Sequence, residues 1–432
     1  MERRVLLKAG AAALAGGLAA ACGVGRDDSG TWDGHTSLRY AFWGDNIRLK
    51  TYTRGFDAFS AAHRTIGVVP EFASYAPAQE RMTTMIAAHD LPDVFWIASP
   101  QVGTYGKNKL YHRLDGIPTL RLTDYTPGQL ESFRLGGALD TLPLGTYVSA
   151  FRFNEDFARQ DGIDFPEGDS PGWTWDKLAE LLVDYSRHNT HGRKALPYRS
   201  DIDLPFESWL RQHGEQLWTE DGRIGFTEDG LASWFEWWEK LRRAGAALSM
   251  SEQEGMAFDW PTVGGKVLAN FGDSNHIVDE AKMFPQYRFR LRPAPVAPGA
   301  AAHHKFLYWP RMAISGEIDR SLLHAAGLLL DFNVNNAVMP LRTGLSMGAP
   351  ANRAVVAAYR PHATRDETEM LDLVAADEAS PQLGGRFEAP PGANTWRDTM
   401  TQVGGDIALG STSPKDGARE MISRVRADLE RG

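Results

Sequence analysis

Cysteine is almost missing from this chain: Cys22 is the only one in 432 residues. A lone thiol excludes an intramolecular disulfide and any structural zinc site built on several thiolates. Long apolar runs are missing beyond Cys22, where no stretch approaches the ~18 residues of a membrane-spanning helix. Positive charge is in deficit, with 46 Lys and Arg against 55 Asp and Glu, a net charge of −9. That balance opposes nucleic acid and anionic membrane surfaces as partners. Catalytic signatures are thin as well. Gly344-Leu345-Ser346-Met347-Gly348 fits G-x-S-x-G by letter, but a nucleophile elbow needs a strand before it and a helix after it. Here Arg342-Thr343 precede and Ala349-Pro350 follow, which is loop chemistry. His303 and His304 are adjacent, so they cannot share one helix face as metal ligands. The acidic run from Asp161 to Asp169 lacks calcium-loop spacing. No metal or cofactor site is expected.

The N-terminus is rich where the rest is poor. Arg3, Arg4 and Lys8 precede an apolar stretch of small residues that stops at Cys22. This is the layout of an export signal, a basic n-region and a short h-region ending at a small-residue processing site. Arg3-Arg4-Val5-Leu6-Leu7-Lys8 is similar to a twin-arginine signal. Cys22, after Ala19-Ala20-Ala21, resembles the acceptor cysteine of bacterial lipoproteins. We therefore expect residues 1–21 to be a signal peptide and residues 22–37 a lipid-anchored flexible tether, the Gly/Ser/Asp-rich stretch from Gly23 to Ser37 supplying reach. The mature protein is expected on the outer face of the cytoplasmic membrane, held by acylated Cys22; each buried methylene contributes about 0.8 kcal/mol.

Beyond the tether, 43% hydrophobic and 23% charged residues describe an ordinary globular protein, long enough for two lobes. Leu38, Tyr40 and Phe42 alternate as in a strand. Asp45 can cap a helix in which Leu49, Tyr52, Phe56 and Phe59 recur at helical spacing. Val68–Phe72 reads as a strand, Ala78–His89 as a helix and Asp93–Ile97 as a buried strand. That alternation predicts a parallel sheet with helical crossovers. Val148–Phe153 is a further strand, Thr174 a helix cap, and Leu322–Phe332 a helix. Trp234, Trp237, Trp238 and Leu241 form one apolar helix face, the pattern of core packing. Ser413-Pro414-Lys415-Asp416 opens the last helix with a capping box and Pro at its first position. Thirteen Trp, 12 Tyr and 20 Phe exceed what a core of this size needs, and flat rings suit the apolar C–H faces of saccharides.

Six segments in order resemble the carbohydrate-binding, maltodextrin-binding-like family of extracellular solute-binding proteins of bacterial ABC importers. They are Tyr40–Asp45; Met85–Phe95, similar to "AAGDAPDVF"; Leu142-Pro143 through Phe153-Asn154-Glu155-Asp156; Gly172–Leu178, similar to "P-x-TWDEL"; Gly265–Ala269, similar to "GKAAM"; and Asp406–Ser413 with the final helix. The resemblance implies a two-lobed α/β periplasmic-binding-protein fold of type II, each lobe a mostly parallel sheet flanked by helices. Three crossings would join the lobes, and hinge closure would trap ligand between them. By motif, lobe 1 spans about 38–146 plus 297–335, and lobe 2 about 147–296 plus 336–432. It implies a ligand of sugar or oligosaccharide type, an ABC permease as partner, a monomer, and no catalysis. The residues placed at the cleft are Trp43, Asp45, Arg48, Tyr75, Ser99, Gln101, Tyr147, Trp209, Gly272, Asp273, Ser274, Tyr308, Trp309, Trp396 and Arg397. Gly272-Asp273-Ser274 stands where many relatives carry Gly-x-Trp, and Tyr308-Trp309 is the expected compensation. Two other readings remain open: a glycerophosphodiester or similar polyol ligand, for which Arg48 and Arg397 would matter, and an exported esterase or glycosidase.

Overall fold

The structure is a computed structural model that describes residues 30–32, 34–126, 128–168, 170–254, 266–301, 304–380 and 386–431. The expected signal peptide, Cys22 and the first part of the tether lie outside the described residues, as do His303 and Asp169. Regular structure begins inside the segment read as tether. Strand β1 (Gly30–Trp32) pairs antiparallel with the start of β2 (His35–Trp43), Gly30 opposite Ser37. Gly34, at φ +76°, makes the turn between them. The strand therefore starts at His35 rather than Leu38, and Gly30–Trp32 and His35–Ser37 are paired strand within the segment read as tether.

Helix α1 (Asn46–Ala62) follows, with Asp45 Oδ1 accepting from the Arg48 N–H at 2.8 Å as its cap. It buries Tyr52, Phe56 and Phe59. β3 (Ile66–Ala73), α2 (Tyr75–Ala87), β4 (Val94–Ile97) and α3 (Val102–Lys107) complete the opening unit, β3 and β4 both running parallel to β2. After a short hairpin, β5 (Arg134–Leu135) and β6 (Ala138–Leu139), comes β7 (Leu142–Pro143). The chain then enters a second sheet at β8 (Ser149–Asn154). Helices α4 (Glu155–Gln160), α5 (Trp175–His188), α6 (Asp203–Gln212), α7 (Glu228–Arg243) and α8 (Met250–Gln253) precede β9 (Ala269–Asp273), α9 (His276–Met283) and β10 (Phe289–Pro293). It returns to the first sheet with β11 (Arg311–Ile314), α10 (Leu323–Asn335) and α11 (Val338–Thr343). α12 (Arg353–Tyr359), α13 (Arg365–Ala379), α14 (Trp396–Ala408) and α15 (Pro414–Arg431) close the chain.

The sheets are less parallel than expected. In the first, β11 inserts antiparallel between β4 and β7, because it arrives from the other lobe instead of from a helical crossover. In the second, β8 pairs antiparallel with both β9 and β10. Parallel pairing there is confined to isolated bridges such as Lys194–Val267 and Leu196–Ala247.

Each sheet has its own core. That of the first gathers Tyr40, Phe42, Phe56, Trp96, Met312 and Leu330. That of the second takes seven of the 13 tryptophans: Trp173, Trp175, Trp218, Trp234, Trp237, Trp238 and Trp396. The stripe on α7 is core, as its spacing indicated. Two boundaries shift from the expected ones. The Ala297 N–H donates to Gln212 Oε1 at 2.8 Å and the Ala301 N–H to Gln212 O at 2.9 Å, so residue 297 still belongs with the second sheet. α11 packs on α1, where a Cβ at Gly55 would lie 2.6 Å from Met339 Sδ, so the chain stays with the first sheet beyond residue 335.

Three segments cross between the lobes side by side. Thr146 and Ala349 exchange backbone hydrogen bonds at 2.7 and 3.1 Å, and Tyr147 and Tyr308 at 2.8 and 3.0 Å. Gly348 is at φ +88°, and a Cβ there would lie 2.5 Å from Thr146 O. The second glycine of the G-x-S-x-G letters thus serves the crossing. Ser346 lies in the loop after α11, not in an elbow, with Oγ buried and without a hydrogen-bond partner. Among the described residues, no helix is long and apolar enough to cross a membrane.

Candidate ligand-binding cleft

The first lobe contributes an aromatic wall. β2 ends at Trp43, and Gly44 allows the turn into α1, since a Cβ there would sit 2.6 Å from Arg48 Cδ. Trp43 is half-buried and meets Trp96 and Tyr75 edge-on, with ring centroids 5.3 and 5.6 Å apart. Trp96, only 2% exposed, donates from Nε1 to Tyr40 Oη at 2.8 Å and so fixes the ring behind Trp43. Tyr75, half-buried at the start of α2, interacts electrostatically with Arg397 of the second lobe. Ser99 donates from Oγ to Glu388 Oε2 at 3.2 Å, while Gln101 stays half-exposed at the end of the same turn. A Cβ at Gly103 would lie 2.4 Å from Ala389 O, so this turn packs directly on the strap at residues 386–390.

The second lobe contributes charge. Arg48 reaches over from α1: Nη1 donates to Trp43 O at 3.2 Å, and Nη2 to Asp279 Oδ2 at 3.4 Å and Ser346 O at 3.5 Å. Its guanidinium also lies 5.9 Å from the Trp96 ring centroid. Burial pushes the Asp279 carboxyl up to about 6, against the pull of Arg48. Asp273, at the end of β9, is likewise pushed up to about 6 by burial, against Arg152, Arg199 and Arg386. Burial, then Arg152, Arg48 and Arg199, hold the His276 imidazole well below its usual value, so the ring is neutral. Ser274 Oγ accepts from the Val148 N–H at 3.2 Å, a structural tie at the crossing. A Cβ on Gly272 would stand 2.7 Å from Arg152 Nη1, so the glycine lets the Arg152–Glu280 pair (3.0 Å) pass beneath.

A ladder of ion pairs runs along the floor. Arg311 Nη2 pairs with Glu388 Oε1 at 2.8 Å, and Arg386 Nη1 with Glu388 Oε2 at 3.0 Å. Arg386 Nε meets Glu207 Oε2 at 2.9 Å, and Arg211 Nε meets Glu207 Oε1 at 3.3 Å. Although burial opposes ionisation, Arg311 and Arg386 hold the Glu388 carboxyl below its ordinary value. Arg311 belongs to the first sheet and Glu207 to α6, so the ladder joins the lobes electrostatically.

The predicted residues divide into two groups. Trp43, Asp45, Arg48, Tyr75, Ser99, Asp273 and Arg397 come together around the cleft. Arg397 is 30% exposed at the start of α14 and pairs with Asp203. The others are placed differently. Tyr147 and Tyr308 stack on each other at 5.6 Å and are both buried, and Arg386 covers Tyr308 at 4.8 Å. Their faces are occupied by protein. Trp209 packs edge-on to Trp175 and Trp234 and donates to Ser233 Oγ at 3.3 Å. Trp396 is buried against Trp218. Trp309 packs half-buried against Phe133 and touches the hydrophobic clusters on both sides of the crossing. Arg199, Glu207, Asp279, Arg311, Arg386 and Glu388 were missed. The available signal was charge beside apolar strand residues, as in Leu196-Pro197-Tyr198-Arg199. The cavity behind Trp43, enclosed by β2, β3, α2 and Trp96, holds about 20 Å³, and that beside Tyr52, under α11 and the crossing, about 40 Å³.

The sequence profile of the bacterial extracellular solute-binding proteins matches residues 56–313. A periplasmic solute-binding protein from Pectobacterium atrosepticum is similar in structure, with TM-score 0.78 at 20% identity, covering 91% of this chain and 99% of that one. An oligogalacturonide-binding protein from Yersinia enterocolitica, solved with saturated digalacturonic acid, gives 0.79 at 18% identity, with 91% and 99% covered. The GacH receptor of Streptomyces glaucescens, solved unliganded and with acarbose, gives 0.74 at 15% identity, with 91% and 98% covered. At such identities the structural likeness concerns the fold, two lobes about a cleft; the profile, matching more than half the chain, establishes that this protein belongs to the bacterial extracellular solute-binding proteins.

Proposed function

We propose that the protein captures a neutral sugar or oligosaccharide between its lobes and delivers it to an ABC permease, without catalysis of its own. The carrying observation is the half-buried Trp43–Tyr75 corner of one lobe with the charged Arg397 of the other beside Tyr75. A sugar needs both: a ring against its C–H face, and fixed polar groups for hydroxyls stripped of water. The named ligands of two of the structural relatives, digalacturonic acid and acarbose, are oligosaccharide-type solutes that also present hydroxyls and C–H faces, although digalacturonic acid adds carboxylates. The working lobes are about 38–146 plus 302–343, and 147–301 plus 344–432, following the packing of Ala297 and α11. The protein acts as a monomer tethered through acylated Cys22 after twin-arginine export. Arg48 and Arg397 are each engaged by an aspartate, Asp279 and Asp203, so neither stands ready for a phosphodiester.

A thermal-shift screen tests this reading. Ligand binding to the native state raises the unfolding midpoint by mass action. A rise with at least one neutral mono- or oligosaccharide is expected, and none with glycerophosphodiesters. A phosphodiester-specific shift, or turnover of chromogenic esters or glycosides that Ser346→Ala abolishes, would replace it with one of the other readings. Loss of membrane association in Cys22→Ala checks the anchor.

A further inference from the structure

The strap at residues 386–390 belongs to the second lobe by its packing. Ala389 is buried in the second core, and Arg386 Nε meets Glu207 Oε2 on α6 at 2.9 Å. A Cβ at Gly222, also in that lobe, would lie 3.2 Å from Pro390 Cβ. The Glu388 side chain nevertheless reaches into the first lobe. Its Oε1 accepts from Arg311 Nη2 on β11 at 2.8 Å, and its Oε2 from Ser99 Oγ at 3.2 Å. The next residue touches the first lobe as well, since Ala389 O stands 2.4 Å from where a Cβ at Gly103 would be. Gly103 lies inside α3 and is not among the glycines of positive φ, so its backbone does not require glycine. The close approach of the strap does.

The rungs of the ion-pair ladder are not equivalent. Arg386–Glu207 and Arg211–Glu207 lie within the second lobe, whereas Arg311–Glu388 spans the division between lobes. That rung can part without stranding a buried charge, which is what makes most buried pairs costly to break. Arg311, 2% exposed, would keep Thr141 Oγ1 at 3.1 Å, Ser132 O at 2.8 Å and the face of the Phe133 ring at 4.7 Å, all in the first lobe. Glu388 would keep Arg386 Nη1 at 3.0 Å. Each half has a resting partner in its own lobe, so the rung has two settings, made and broken. When made, a carboxylate shared by two nearly buried guanidiniums is held more firmly than an exposed pair.

We propose that the strap is a latch: the Glu388–Arg311 rung and the seat of Ala389 on Gly103 hold the empty protein mainly closed, and admission of solute requires this rung to break. A solute that enters only the open form is then admitted in proportion to the open fraction. The latch concerns the opening equilibrium of the empty protein, so it stands or falls independently of the solute's identity.

The test is a distance measurement without solute, on the full chain carrying Cys22→Ala, which removes its own thiol. Spin labels are placed at Thr83→Cys on α2 and at Glu220→Cys in the second lobe, both exposed positions. With the latch intact, the open, long-distance fraction should be below about one-tenth. Glu388→Gln discharges the rung, and Gly103→Ala sets a methyl group against Ala389 O without changing any charge. Each should raise the open fraction to about one-half, roughly a tenfold change in the open-to-closed ratio. Arg290→Met removes a 2.9 Å pair with Glu369 inside the second lobe and should leave the distances unchanged. If Glu388→Gln lowers the unfolding midpoint, Gly103→Ala decides alone. A protein already open with the latch intact, or one that stays closed in Gly103→Ala, would overturn the latch. Equal opening in Arg290→Met would overturn it too, because general loosening would then suffice.

Discussion

The two walls of the cleft use the same residue types for opposite purposes. In the first lobe, Trp96 is buried to hold Trp43 and Tyr75 at the surface of the cleft. In the second, Trp175, Trp234, Trp237 and Trp238 pack against one another, mostly edge-to-face with Trp234 and Trp237 stacked, and the cleft side is left to arginines and carboxylates. Aromatic richness alone therefore does not locate a sugar site. The lobe with most tryptophans uses them for its core, and the lobe with few offers one for stacking. A solute contacts complementary chemistry only when both walls close on it, which couples recognition to hinge motion.

The comparison can be broken from either side. Trp234→Ala removes a fully buried ring from the second core and should cost about 3–5 kcal/mol of stability, read as a lower denaturation midpoint. Arg386→Ala leaves Glu207 and Glu388 facing each other without their shared cation. A loss of similar size, about 3–5 kcal/mol, is expected, and the double variant Glu207→Gln, Arg386→Met should recover part of it. A wild-type midpoint in either variant would mean that the second lobe's core or ladder contributes little.

How much of this was legible beforehand follows from the range of the interactions. β2, the α1 cap at Asp45, buried β4, the α7 stripe and the Ser413 cap of α15 are set by neighbours within a few residues, and local sequence displays them. The family motifs pointed to Trp43, Asp45 and Arg397, and the structure sets Trp43 against Tyr75, Asp45 at the cap of α1 and Arg397 against Asp203. The antiparallel return of β11 and the ladder through Arg386 depend on partners far away in the chain, 77 and 179 residues apart for Arg311–Glu388 and Glu207–Arg386. No local pattern marks them. A tryptophan's letters are the same whether it stacks or packs, which is why Trp209 and Trp396 looked like cleft residues.

Smaller effects sharpen the picture. Asp45→Ala removes the α1 cap and should cost about 1 kcal/mol, with Asp45→Asn close to wild type in stability. The smallest effect is on pH. Asp273 and Asp279 have folded-state values raised to about 6. The folded state therefore binds protons more tightly than the unfolded chain, and this contribution is lost as pH rises through about 6. Between pH 7.5 and 5 the midpoint of Asp279→Asn should vary less than that of wild type; an unchanged profile would remove Asp279 as a source of the dependence.

The central claim is that solute is held between the aromatic wall of one lobe and the charged wall of the other. Calorimetric titration of wild type and Trp43→Ala with the saccharide giving the largest thermal shift tests it most directly. The account predicts about 30-fold weaker binding in the variant, equivalent to about 2 kcal/mol, with an unchanged unfolding midpoint of the free protein. Equal affinity in the two proteins would contradict it.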